Sequence, residues 1–219
     1  MIQTGFETVL FLLGTIGLMI HSGFFNKKVR ADLFVYYTNL SNAAVLIYFL
    51  LRVIFMLSGK KASGFGTFLF SDNVHFVMMM GIMLTNLIFH FMLKDAVIEM
   101  EKDPNSLVKY HCFDNFSVHY IVPFLTLIDW LIWGGKSGLS WRSALIWTLV
   151  PLVYTVFVFI HARLYGNISY IDSPYPYPFM DPQAVGMKKV ILNIVCLWAG
   201  CGVLGILFVY LGKLWAKIL

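Results

Sequence analysis

The sequence predicts an all-α, polytopic membrane protein: a single six-helix transmembrane domain over residues 1–219. Three observations predict it. Hydrophobic residues fill 59% of the positions and charged residues 12%, with a mean hydropathy of +0.78. That leaves too little polar surface to coat a soluble globule. Six apolar runs follow one another, at residues 6–25, 33–57, 74–93, 117–134, 143–162 and 190–212. Each is close to the ~20 residues needed to cross a hydrocarbon core of about 30 Å. Finally, the ten-residue alternation of a membrane barrel strand is absent, so backbone polar groups inside lipid must be satisfied within helices.

Taken in order, the first run is a retained span and not a cleaved leader, because residues 1–7 carry an acid, Glu7, and neither Lys nor Arg. The second opens with Tyr37-Thr38-Asn39-Leu40-Ser41-Asn42, a dense polar run just inside a span. Loops 1 and 4 are short, which predicts antiparallel hairpins of helices 1–2 and 4–5. Loop 2 carries Ser63-Gly64-Phe65-Gly66, a flexible connection. In loop 3, the mixed residues 95–102 read as an interfacial helix, broken by Asp103-Pro104-Asn105. Pro123 and Pro151 are expected to kink helices 4 and 5. Loop 5 alternates Pro and Tyr between Ser173 and Pro182, favouring extended backbone at the membrane surface, as a lid or rim. Cys112, Cys196 and Cys201 are odd in number and form no Cys-x-x-Cys pair, so no disulfide framework or zinc site is expected. The net charge of +5 is spread over loops and helix ends, which suits contact with anionic lipid and not nucleic acid.

Where the polar groups fall is more informative. In a six-span topology, His21 ends helix 1 and Thr38 to Asn42 open helix 2. Asn86 and His90 lie late in helix 3, His119 starts helix 4, and His161 ends helix 5; all reach the face bearing loops 1, 3 and 5. His75 lies at the other end. Taken alone, the run from Thr38 to Asn42 reads as glue between helices, and single histidines near helix ends read as interfacial side chains. Their convergence on one face reads as a polar pocket. Asp129 is the only acid deep in a span, and intramembrane acids usually find a cation. Arg52, at similar depth, is its expected partner in a structural ion pair, with Glu7 a competitor for the same guanidinium.

Three segments carry a family resemblance: Tyr37-Thr38-Asn39-Leu40-Ser41-Asn42; Val118-His119-Tyr120-Ile121-Val122-Pro123 running on to Asp129-Trp130; and Tyr177-Pro178-Phe179-Met180-Asp181, preceded by His161 and Gly166. On these, the chain resembles the prokaryotic six-transmembrane-segment family. More distantly, it is similar to the androgen-induced-gene family of transmembrane threonine hydrolases, which act on fatty acid esters of hydroxy fatty acids. The resemblance implies a prokaryotic cell membrane as location, Thr38 as nucleophile, His119 as base, and a lipid or fatty-acyl ester as substrate, with no cofactor. Asn39 and Ser41-Asn42 depart from the family pattern around the nucleophile.

The chemistry is coherent on its own terms. A threonine hydroxyl needs an adjacent base to attack an ester. The amides of Asn39, Asn42 or Asn86 are candidates to hold the developing oxyanion, His90 or His161 to orient His119, and Tyr177 to line the mouth. Two other classes compete: a metal or haem protein ligated by His21, His90, His119 and His161, and a transporter or lipid-binding scaffold.

Overall fold

The computed structural model describes residues 1–26, 31–59, 63–102, 110–169 and 171–217. Six helices are long and apolar enough to cross a membrane: α1 (Ile2–His21), α2 (Tyr37–Leu57), α3 (Asp72–Glu101), α4 (Phe113–Trp133), α5 (Trp141–Tyr165) and α6 (Met187–Trp215). No strand occurs among the described residues. The all-α class and the multi-pass character stand as predicted.

Helix ends differ from the hydropathy boundaries for physical reasons. α1 begins at Ile2 and closes at His21, beyond which Gly23 takes φ 76°, a left-handed conformation that glycine adopts without strain. α3 runs through the polar stretch Lys94–Glu101, in which no residue is buried. The predicted interfacial helix is therefore the free end of α3; hydropathy marks where lipid stops, not where the hydrogen-bond ladder stops. Its predicted break at 103–105 lies outside the described residues. In loop 2, the stretch read as flexible starts a short helix, Phe65–Leu69, with Gly66 seated against the Phe55 ring.

The chain divides into two compact units, Met1–Arg30 with Tyr37–Gly135, and Ala31–Tyr36 with Lys136–Leu219. Helices α4 and α5, predicted as a hairpin, belong to different units. In the first unit, α1 packs on α2, α2 on α3, α3 on α4 and α4 back on α1, a closed four-helix ring. Its apolar centre gathers Leu10, Val45, Leu46, Phe49, Ile82 and Val122. α1 approaches closely through two glycines a turn apart. A Cβ on Gly14 would meet Leu46 and Val122, and one on Gly17 would overlap the Ser117 side chain. Small residues at such contacts are the usual route to tight helix packing in lipid.

Toward the end of this ring away from loops 1 and 3 lies a sealed polar layer. The Arg52 guanidinium donates to Glu7 Oε1 from Nη2 at 2.7 Å and from Nε at 3.0 Å, and to the Tyr48 hydroxyl at 3.0 Å. Gln3 donates to the same Glu7 oxygen at 3.0 Å. His75 Nε2 lies 2.9 Å from Asp129 Oδ2. The predicted Arg52–Asp129 pair is thus corrected: Arg52 takes Glu7, and Asp129 takes His75. The reason is register and ring order. Gly14 against Leu46 sets α1 on α2 so that Glu7 comes level with Arg52, whereas Asp129 faces α3, its own neighbour in the ring.

The second unit pairs α5 with α6. The Trp147 indole N–H donates to the Cys201 carbonyl at 3.1 Å, over Gly205, where a Cβ would strike the ring. Ser140 and Ser143 form a capping box at the start of α5. Loop 5 is tied down, not merely extended. Pro178–Met180 is a 3₁₀ turn, Tyr177 stacks on Phe179 at 5.4 Å, and Asn193 of α6 donates to the Phe179 carbonyl at 3.0 Å. Asp181 accepts from the Ser173 hydroxyl at 2.7 Å and from the Gln183 N–H at 2.7 Å. Burial pushes its carboxyl up, but the Ser173 hydroxyl and the Gln183 and Ala184 N–H groups outweigh that and hold it below the usual range. In the other stretch of this unit, Asp32 accepts from both the hydroxyl and the N–H of Ser169, and the hydroxyl bond above all holds it low.

Candidate functional site

Two turns of π-helix mark the polar end of the first unit: Phe89–Leu93 in α3 and Ser117–Ile121 in α4. Each inserts one extra residue into a helical turn, a distortion that costs hydrogen-bond quality and recurs at functional sites. In α4 the cause is legible. The Val122 N–H bonds back to Ser117, not to Val118, and Pro123 next to it has no N–H. The carbonyls of Val118 and His119 thereby lose their helical donors.

Neighbouring helices supply replacements, as lipid requires. The Asn42 amide of α2 donates to the Val118 carbonyl at 3.0 Å and to the Thr38 carbonyl at 2.8 Å. The Asn86 amide of α3 donates to the His119 carbonyl at 2.8 Å. Between them, the Ser41 hydroxyl pairs with the Thr85 hydroxyl at 2.7 Å. Ser41 and Asn42 are therefore glue, the role the run has when read alone. The amides of Asn42 and Asn86, predicted as oxyanion donors, are committed to backbone carbonyls. Asn39 is 1% exposed on the same helix.

Thr38 and His119 both lie at this level of the ring, buried at 8% and 6% exposure. The Asn42 amide links the turn that carries one to the turn that carries the other. His119 Nδ1, buried, has no hydrogen-bond partner among the described residues. No hydrogen bond joins the two directly. The His119 ring lies flat on Phe89, centroids 3.6 Å apart and planes 12° apart. One π turn thus stacks against the other.

The remaining predicted residues are distributed as follows. His90 is exposed and meets the Tyr120 hydroxyl through Nδ1 at 3.2 Å, so it does not orient His119. His161 and Tyr177 belong to the second unit. There His161 faces the Tyr165 ring at 5.0 Å, and Tyr177 is 4% exposed with the Tyr36 ring edge-on at 5.7 Å. Sequence reasoning missed three participants: Phe89; Ser117, fully buried against Gly17; and Asp114, whose Oδ2 lies 3.3 Å from His21 Nδ1. The available signal was Pro123, which guarantees an orphaned carbonyl four residues earlier and so calls for amides nearby. Among the described residues no group of three or more His, Cys, Asp or Glu side chains is placed to hold a metal ion. Compared with known proteins, the chain matches no family model, no curated protein and no solved structure.

Proposed function

We propose that the protein is a membrane-embedded hydrolase of lipid carboxylic esters, with Thr38 as nucleophile and His119 as general base. One observation carries the reading. The surrounding donors, the Ser41 hydroxyl and the amides of Asn42 and Asn86, are engaged by protein groups, while His119 Nδ1 is buried without a partner and the Asn42 amide ties its turn to the turn that carries the buried Thr38. A buried polar group without a partner costs about 1–3 kcal/mol, a cost that a substrate-binding site offsets when it is filled. The resemblance to transmembrane threonine hydrolases supports the same assignment, and fatty acid esters of hydroxy fatty acids, or similar acyl esters, are the substrates it favours. Apolar helix walls suit the acyl chains.

The test is hydrolysis of long-chain acyl esters by purified protein in lipid nanodiscs, together with covalent labelling by a fluorophosphonate probe. Thr38→Ala is expected to abolish both. His119→Ala is expected to lower turnover by about 10²–10⁴-fold, the usual contribution of a general base. Ester hydrolysis that survives Thr38→Ala in a folded protein removes the proposal.

A further inference from the structure

The site contains a second histidine, and it is the one whose ring is held as acid–base catalysis requires. His21 presents Nδ1 to a carboxylate, Asp114 Oδ2, at 3.3 Å. His119 has no group on its Nδ1. A carboxylate on Nδ1 fixes the ring, stabilises the imidazolium and leaves Nε2 for substrate. The two residues come from α1 and α4, and their side chains are about a quarter exposed, at 22% and 24%, whereas His119 is sealed at 6%.

Helix register places this pair beside the nucleophile. Asn42 of α2 contacts Val118 of the parallel α4; one turn back along both helices stand Thr38 and Asp114. On the antiparallel α1, Gly14 packs against Leu46. Two turns onward along α1 and two turns back along α2 bring His21 level with Asn39, next to Thr38. Gly17, a turn below His21, is pressed against Ser117, a turn below Asp114, so the two helices are in contact at this height. Register therefore brings Thr38, the buried His119 and the carboxylate-held His21 to one level of the ring.

We propose that His21 is the second proton-transfer residue of the site, the general acid that protonates the departing alcohol, and that Asp114 is its positioning residue. The proposal rests on the hydrolase reading above. In acylation the Thr38 oxygen bonds to the ester carbonyl carbon and its proton passes to His119. The carbon–oxygen bond to the alcohol then breaks, and the alcohol oxygen takes the proton from Nε2 of the His21 imidazolium. In deacylation a water oxygen bonds to the acyl carbon and gives its proton to His21. The bond to Thr38 breaks, and the Thr38 oxygen recovers its proton from His119. Each histidine ends as it began, and the net change is ester plus water to acid plus alcohol.

This division of labour has a kinetic signature that a merely structural role lacks. A nitrophenolate leaves without a proton, but an alkoxide does not, and the acyl-enzyme common to both esters needs His21 for the attacking water. Two esters of one fatty acid, a nitrophenyl ester and a secondary alkyl ester, are given to the wild type, His21→Gln and Asp114→Asn in nanodiscs. In His21→Gln the nitrophenyl ester is expected to give a burst of about one nitrophenol per protein. Steady turnover then follows about 100-fold below wild type, within the range of lost acid–base catalysis. The alkyl ester gives no burst. Asp114→Asn shows the same pattern, weaker. Equal loss of burst and steady state, or no loss, overturns the assignment of His21, and the surviving burst itself reports an intact site. Thr38→Ala removes the burst altogether; if it does not, the nucleophile is wrong, whatever His21 does. A wild type that cleaves neither ester overturns both.

Discussion

At the scale of single residues, the polar run on α2 divides its work. Ser41 and Asn42 hold neighbouring helices, while Thr38 lies buried beside them. If Asn42 serves mainly to satisfy the Val118 carbonyl, Asn42→Ala should destabilise the protein by about 1–3 kcal/mol, the cost of an orphaned buried acceptor. The companion change Asn86→Ala orphans the His119 carbonyl. It should cost less in a Pro123→Ala background, where an N–H returns to that position, giving a coupling of about 1 kcal/mol in a double-mutant cycle. Additive losses in denaturant unfolding would show that Pro123 is not the reason the amide is there. The run itself was plain in the sequence, because four hydrogen-bonding side chains in five positions inside lipid demand partners. Which of them would be spent on backbone was not plain. That depends on a π turn two helices away in the chain, and the turn's only trace is the proline that follows it.

At the scale of elements, hydropathy located all six spans because lipid leaves a helix no alternative. It misplaced their ends, because polar residues continue a helix as readily as apolar ones once the ladder has begun; α3 through Lys94–Glu101 is the plain case. Loop 5 was legible as a Pro/Tyr segment, but its anchoring through Asp181 and Asn193 was not. That anchoring is sensitive to acid. Asp181 and Asp32 are both held below the usual aspartate range by donors that exist only in the folded chain. The folded state therefore binds fewer protons. Their contribution is complete above the unfolded value of about 3.9 and fades as the pH falls below it toward the folded values. Hydrogen-exchange protection factors across residues 171–186 should fall as the pH drops below about 4, and Asp181→Asn should show low protection on both sides of that pH. Unchanged protection across that pH would show that these carboxylates do not hold the loop.

At the scale of the whole molecule, the first unit carries two polar layers on one apolar column. The layer of Glu7, Tyr48, Arg52, His75 and Asp129 draws on all four helices and is sealed, none of the five more than 3% exposed. The sequence pointed to a buried ion pair, but two acids lay within reach of one guanidinium, and depth alone does not choose between them. Ring order does. Losing Arg52 leaves Glu7 buried without its guanidinium partner, so Arg52→Met should cost about 3–5 kcal/mol, while Glu7→Gln with Arg52→Met should recover much of it. If the double variant unfolds as early as the single one, the layer contributes through packing and not through charge. The other layer, at the level of Thr38 and His119, leaves His119 Nδ1 without a partner.

The paired π turns bear on how such a chain can change by insertion and deletion. A π turn is an α-helix carrying one residue too many. Removing a residue within Ser117–Ile121 would restore the ordinary repeat and turn everything on its N-terminal side by about 100°. Asp114 would swing away from His21 and the preceding loop would be re-aimed, yet Asp129 and the sealed layer would stay where they are. One codon thus separates a helix that sets Asp114 against His21 from one that does not, with the fold's anchorage untouched.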